Sequence, residues 1–103
     1  MAQVEIANKM VDVNDEGYLT NPEQWDKEIA ATIAAELNIE LTDKHFEVID
    51  YLREKYAADE TLTIRKVGKS GIVDIKGLYK LFPGGPLKFG TKIAGLPKPV
   101  SCV

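Results

Sequence analysis

From Leu81 to Val103 the chain carries four of its five prolines and its only cysteine. No helix can run through Gly95-Leu96-Pro97-Lys98-Pro99. Each proline lacks an N–H and fixes φ, and each pushes the residue before it toward extended geometry. Pro83-Gly84-Gly85 stops any helix that arrives from the N-terminal side. Pro86 suits the first position of a new one, and Gly95 suits the left-handed residue that closes it. The expectation is a short helix from Pro86 to about Ala94, with Phe89 and Ile93 on one face. A semi-rigid extended arm, residues 95–103, then carries the Cys102 thiol near its tip. A residue this close to the end, behind two prolines, is hard to bury in the core that the rest of the chain builds.

Upstream, the punctuation predicts a small α+β domain. Val4, Ile6, Met10, Val11 and Val13 read as a hairpin around Asn8-Lys9. Asn14-Asp15-Glu16-Gly17 is a second turn, and Tyr18-Leu19 a short third strand. Together they predict a three-stranded β-meander. Asn21 as N-cap, Pro22 and a capping-box Gln24 open a helix with Trp25, Ile29, Ile33 and Leu37 on one stripe, ending at Asn38. Thr42 caps the next helix, in which Asp43 is a first-turn acid, Leu41 staples onto Phe46, and the end falls near Ala58. Its apolar spacing runs through Phe46, Ile49, Leu52, Arg53 and Tyr56. Thr61–Val67 alternates like a strand, and Gly68 and Gly71 mean that any helix there is short. Asp74 caps a further helix with Ile75, Leu78, Tyr79 and Phe82 at i, i+3, i+4 and i+7. The whole reads as one mostly helical domain, residues 1–103, with an N-terminal three-stranded β-meander and a flexible C-terminal arm from residue 95.

A chain of 103 residues has room for one core. No apolar run approaches the ~20 residues that span a bilayer, so no membrane partner is expected. The N-terminus lacks the pattern of a signal peptide. One cysteine and one histidine offer neither an internal disulfide nor a metal-ligand set. Cytoplasmic location and no cofactor are the expectations. Net charge is −3, but it is divided unevenly: residues 1–61 hold 15 of the 16 acids, and residues 62–103 hold 8 of the 13 bases. Either the two halves attract each other within the fold, or the basic half meets an acidic partner or an anionic sulfur species.

Lys92-Ile93-Ala94-Gly95-Leu96-Pro97-Lys98-Pro99 ahead of a penultimate cysteine, preceded by Leu81-Phe82-Pro83-Gly84-Gly85-Pro86, resembles the C-terminal motif of the DsrC/TusE family of sulfur-relay proteins. The resemblance continues in Asp15-Glu16-Gly17-Tyr18-Leu19, in Trp25 and around His45, and so covers most of the chain. It implies a sulfur acceptor and carrier, with Cys102 as the persulfide-bearing residue. Lys92, Gly95, Leu96, Pro97, Lys98 and Pro99 would form the arm that enters a partner. The implied donors are TusBCD- or DsrEFH-like sulfurtransferases. The implied acceptors are a tRNA-thiolating enzyme, or a sulfite-reductase-type or heterodisulfide-reductase-like complex. Only the thiolate exchanges sulfur; Lys92 and Lys98 favour it, and the terminal carboxylate opposes it. No base, metal or cofactor motif accompanies the thiol, which implies a carrier working with partner enzymes.

Three departures from the family pattern stand out. Thr91 occupies the place where two-cysteine members carry their second thiol, so this chain looks like the single-cysteine, TusE-like members. The segment between Arg65 and Leu81 is shorter than in those proteins. The family's His-Trp pair reads His45-Phe46 here. His45, third in its helix, is expected to cap or pack, and Trp25 to belong to the core. The alternative class is a regulatory or nucleic-acid-binding module: the helices after Leu41 succeed one another like a helix-turn-helix, and the C-terminal half is basic. The absence of an arginine-rich helix speaks against nucleic acid as a partner. A third class is a tightly bound reductase subunit with a structural arm.

Overall fold

Ala7 and Asn8 reverse the chain between strands β1 (Ala2–Ile6) and β2 (Lys9–Val13). Both take left-handed φ, 53° and 65°, as a two-residue hairpin turn requires. The turn therefore lies one residue earlier than the Asn8-Lys9 expected from sequence. The register pairs Ile6 with Lys9 and Val4 with Val11. Because side chains alternate faces, this register sends Val11 and Val13 into the core and leaves Met10 exposed. The computed structural model describes residues 2–98.

The predicted third strand does not form. The sheet has two strands, and Leu19 meets Val13 only through an isolated bridge. The Asn14 side chain accepts from the backbone N–H groups of Glu16 and Tyr18. It thus holds the segment in a turn that competes with ladder pairing.

The helix expected from Asn21 is broken in two. Asn21 caps only a single 3-10 turn, Pro22–Gln24, and Trp25 follows in extended geometry. Asp26 is the N-cap of α1 (Lys27–Glu36), its carboxylate accepting from Ile29 N at 2.9 Å. Gln24 makes no capping box. It accepts from Asp12 N at 2.8 Å and donates to the Asp12 carboxylate at 3.1 Å, tying the hairpin to the turn. Asn38, at φ 60°, ends the segment as expected.

Helix α2 (Asp43–Ala57) starts at Thr42 in a reciprocal capping box, with His45 in the place usually held by Glu or Gln. It buries His45, Val48, Ile49 and Leu52. That face is rotated slightly from the one drawn through Phe46, Arg53 and Tyr56. The ambiguous stretch is a helix, α3 (Ile64–Gly68), because the Thr63 hydroxyl caps Lys66 N at 3.1 Å. Asp74 caps α4 (Ile75–Leu81) as predicted, but only Leu78 is buried within it, while Ile75 and Tyr79 stay exposed. Helix α5 (Pro86–Ile93) buries Leu87, Gly90, Thr91 and Ile93. Helices α1, α2 and α4 all pack against it. Gly90 faces Leu52 and Phe82, which a Cβ there would meet in ordinary contact, at 3.4 and 3.7 Å. The C-terminal helix is therefore the centre of the core rather than a peripheral support for an arm. No helix among the described residues is long and apolar enough to cross a membrane.

Candidate functional site

Helix α5 ends in a lock that runs from Thr91 to Leu96. Gly95 is left-handed at φ 72°. Leu96 N donates to Thr91 O at 3.0 Å and Gly95 N to Lys92 O at 3.2 Å. These two bonds are the Schellman pattern, which satisfies carbonyls that a helix end leaves bare. Leu96 supplies the hydrophobic contact that accompanies it, being 1 % exposed.

Two side chains from distant elements seal this turn. Trp25 lies where a Gly95 side chain would be, its Cδ1 2.2 Å from an ideal Cβ, and its Nε1 donates to Ile93 O at 2.8 Å. Arg53 of α2 lies over the Trp25 ring, 4.3 Å from its centroid. Its guanidinium donates to Ala94 O at 2.7 Å and to Pro22 O at 3.0 Å. One cation thus bridges the 3-10 turn and the end of α5, where the helix dipole is negative. Partial burial lowers the Arg53 pKa, opposed by the nearby Asp50 charge; an arginine still keeps its proton.

On the other side of α5, Tyr18 donates to Lys88 O at 3.2 Å, and Lys92 Nζ lies 5.6 Å from the Tyr18 ring centroid. Lys98 pairs with Glu16 at 2.9 Å. The hydrogen bond from Lys98 holds the Glu16 carboxyl below its usual range, and the charges of Lys98, Lys88 and Lys92 act in the same direction. Beside Pro97 and Lys98 lies a cleft of about 430 Å³, lined also by Tyr56, Ala57, Asp59, Glu60, Thr61 and Leu62.

The sequence alone places the start of the arm at residue 95. Gly95 and Leu96 are instead inside the core, because the Schellman turn carries the chain back over α5. Pro97 is half-buried and Lys98 exposed. Pro99 and Cys102 lie outside the described residues. Thr91 is fully buried, its hydroxyl donating to Leu87 O at 2.8 Å and Lys88 O at 3.2 Å. His45 caps and packs, as expected. Its Nδ1 accepts from Thr42 N at 3.0 Å, so Nε2 carries the proton and donates to Leu81 O at 2.7 Å. With both ring nitrogens committed, it has no atom free for proton transfer.

Sequence alone does not single out Arg53 and Tyr18 as site residues. A faint signal exists for Arg53, a cation within the apolar spacing of α2, where guanidinium groups are commonly held by carbonyls or rings. No group of three or more His, Cys, Asp or Glu positioned for a metal ion occurs among the described residues.

The fold and this turn define a class: a small α+β domain that grips its last described helix by the C-terminal end. The chain belongs to the DsrC-like family, whose model, described as "DsrC like protein", matches residues 5–103. It is 44% identical to the "Sulfurtransferase TusE" of Salmonella typhimurium over 103 positions, covering 92% of this chain and 94% of that protein. It is 39% identical to the protein of the same name from Yersinia pseudotuberculosis, covering 97% and 100%. That alignment spans 108 positions, more than the whole of this chain, so this chain carries a net deletion relative to its relative. Among solved structures, it is similar to the oxidized gamma-subunit of the dissimilatory sulfite reductase (DsrC) from Archaeoglobus fulgidus. That likeness has a TM-score of 0.83 and 33% identity, and covers 99% of this chain and 100% of that one.

Proposed function

We propose that this protein accepts sulfur as a persulfide on Cys102 and passes it to a partner in a sulfur relay. The thiolate attacks the outer sulfur of a donor persulfide. A new S–S bond forms at Cys102 as the donor's S–S bond breaks, and the donor leaves as its thiolate. Sulfur moves at constant overall oxidation level, so no external oxidant or reductant takes part. The observation that carries this reading is the locked turn at Gly95-Leu96. Trp25 and Arg53 hold the chain as far as Leu96, so only the residues beyond Leu96 need to enter a partner.

In this reading Lys92, Gly95 and Leu96 set the exit, while Pro97, Lys98 and Pro99 form the section a partner grasps. Thr91 supports a single-thiol relay: its hydroxyl forms no disulfide, so release of sulfur must occur onto the partner. The names of the relatives, sulfurtransferase and sulfite reductase subunit, support a donor of the TusBCD or DsrEFH kind. They equally support an acceptor in tRNA thiolation or in dissimilatory sulfur metabolism, in the cytoplasm.

Incubation of the purified protein with a persulfide donor tests the proposal. Intact mass should rise by about 32 Da, one sulfur, and reductant should reverse the gain. A gain that persists in Cys102→Ser, or none in the native protein, overturns it.

A further inference from the structure

Helix α4 presents a half-exposed arc, with the Ile75 side chain lying against Gly68 of α3. Ile75, Lys76, Tyr79 and Lys80 occupy positions i, i+1, i+4 and i+5, which share one side of a helix. All four are exposed, Ile75 at 45% and Tyr79 at 49%. The opposite side carries the buried Leu78. Helix α3 packs against α4 and, with the residue after it, adds exposed Arg65, Lys66 and Lys69.

The charge on this region is unspent. Among the described residues, none of these five cations forms an ion pair. The only acid between residues 62 and 98 is Asp74, and its carboxylate is engaged in capping Gly77 N at 2.7 Å. The pairs that do form stay within the acidic half: Lys9 with Asp26 and Glu28, Lys44 with Glu47, and Lys55 with Glu60. Lys98 with Glu16 is the one that joins the halves. Apart from that pair, no ion pair joins the halves among the described residues, and the cations of α3 and α4 are left without one.

We propose that the α4 face is a docking surface for an acidic protein partner, with Tyr79 and Ile75 as apolar anchors and Lys76 and Lys80 as the complementary rim. An aromatic beside an aliphatic residue, ringed by lysines, suits a carboxylate-edged apolar helix. Nucleic acid fits less well. The body of the protein is acidic, α4 has no arginine, and a single tyrosine makes no stacking platform. The proposal stands or falls without the persulfide reading.

The test uses the full chain, isotope-labelled, in amide NMR titrations with three probes: an amphipathic helical peptide of glutamate and leucine, an all-glutamate peptide, and single-stranded polyuridylate. The glutamate–leucine peptide should shift amides of residues 75–80 and bind more tightly than the all-glutamate one. Lys76→Glu/Lys80→Glu should weaken it about tenfold or more, and so should Tyr79→Ser, as loss of a rim pair or an anchor does. Lys76→Ala/Lys80→Ala, with an unchanged melting temperature, guards against misfolding. Cys102→Ser should bind unchanged. The proposal is overturned if the shifts centre on Lys88 and Lys92, if the variants bind normally, or if polyuridylate binds more tightly than the peptide. No binding up to about 1 mM peptide, the weak end of specific recognition, also overturns it.

Discussion

Gly95 and Gly71 both have positive φ, 72° and 88°, yet they sit in different surroundings. A Cβ at Gly71 meets nothing within 4 Å, whereas one at Gly95 collides with three Trp25 atoms. Gly71→Ala should cost about 1 kcal/mol, the conformational penalty alone. Gly95→Ala should cost about 3 kcal/mol, since Trp25 must also leave its place. Urea midpoints of the two variants measure the contrast. Leu96→Ala should cost about 3 kcal/mol, as for other fully buried leucines. Truncation ahead of Leu96 must cost at least as much. Sequence alone predicts that such a truncation leaves stability within about 1 kcal/mol, and the burial of Leu96 reverses that expectation.

At the scale of elements, the 3-10 turn, α2 and α5 meet at one guanidinium. Arg53→Met preserves much of the packing on Trp25 but leaves Ala94 O and Pro22 O without this donor. About 2 kcal/mol should be lost, the cost of two partly buried acceptors going unpaired. Hydrogen exchange of the Leu96 and Gly95 amides should quicken in the same variant, because the turn then opens locally without global unfolding. Arg65→Met, on the exposed side of α3, should change neither. His45 plays a comparable part between α2 and the end of α4, where it donates to Leu81 O and meets Phe82 edge-on, with ring centroids 5.1 Å apart. Both connections use a side chain of α2 to hold a carbonyl at a helix end.

Across the whole molecule, the ion pairs make stability depend on pH. Lys9 holds the Asp26 carboxyl below its ordinary 3.8, helped by the hydrogen bond from Ile29 N. Lys98 holds Glu16 below 4.5. A carboxyl depressed by folding adds stability above its unfolded value, and that stability disappears as pH falls through the folded value. Denaturant midpoints should therefore decline on acidification below about pH 4.5, the ordinary glutamate value. Asp26→Asn should flatten the decline while keeping the cap, since asparagine caps as well as aspartate. Both sites are open to solvent, so added salt should shrink the effect.

Local chemistry made much of this fold legible. Thr42, Asp74, Pro86 and Gly95 bound their helices where sequence placed them, because a cap or a left-handed residue acts on bonds only a few positions away. The family was legible for a related reason: a long, oddly composed motif survives as written. Other features were settled by groups that meet only after folding. Trp25 leaves its expected stripe because a cavity beside Gly95 and the carbonyl of Ile93 accept it. Gln24 reaches the hairpin instead of its own helix, and Leu19 makes only a single bridge to Val13 while Asn14 takes the Tyr18 backbone donor. Leu96 looks like the start of an arm since a proline follows it, yet the closing turn of α5 folds it inward. Sequence by itself determined the bounds of α2 and α5 and the start of α4, and that one thiol lies near the C-terminus. Only the tertiary structure decided which faces are buried and that Gly95 and Leu96 fold inward, because both depend on contacts between residues as distant as Trp25, Arg53 and Gly95.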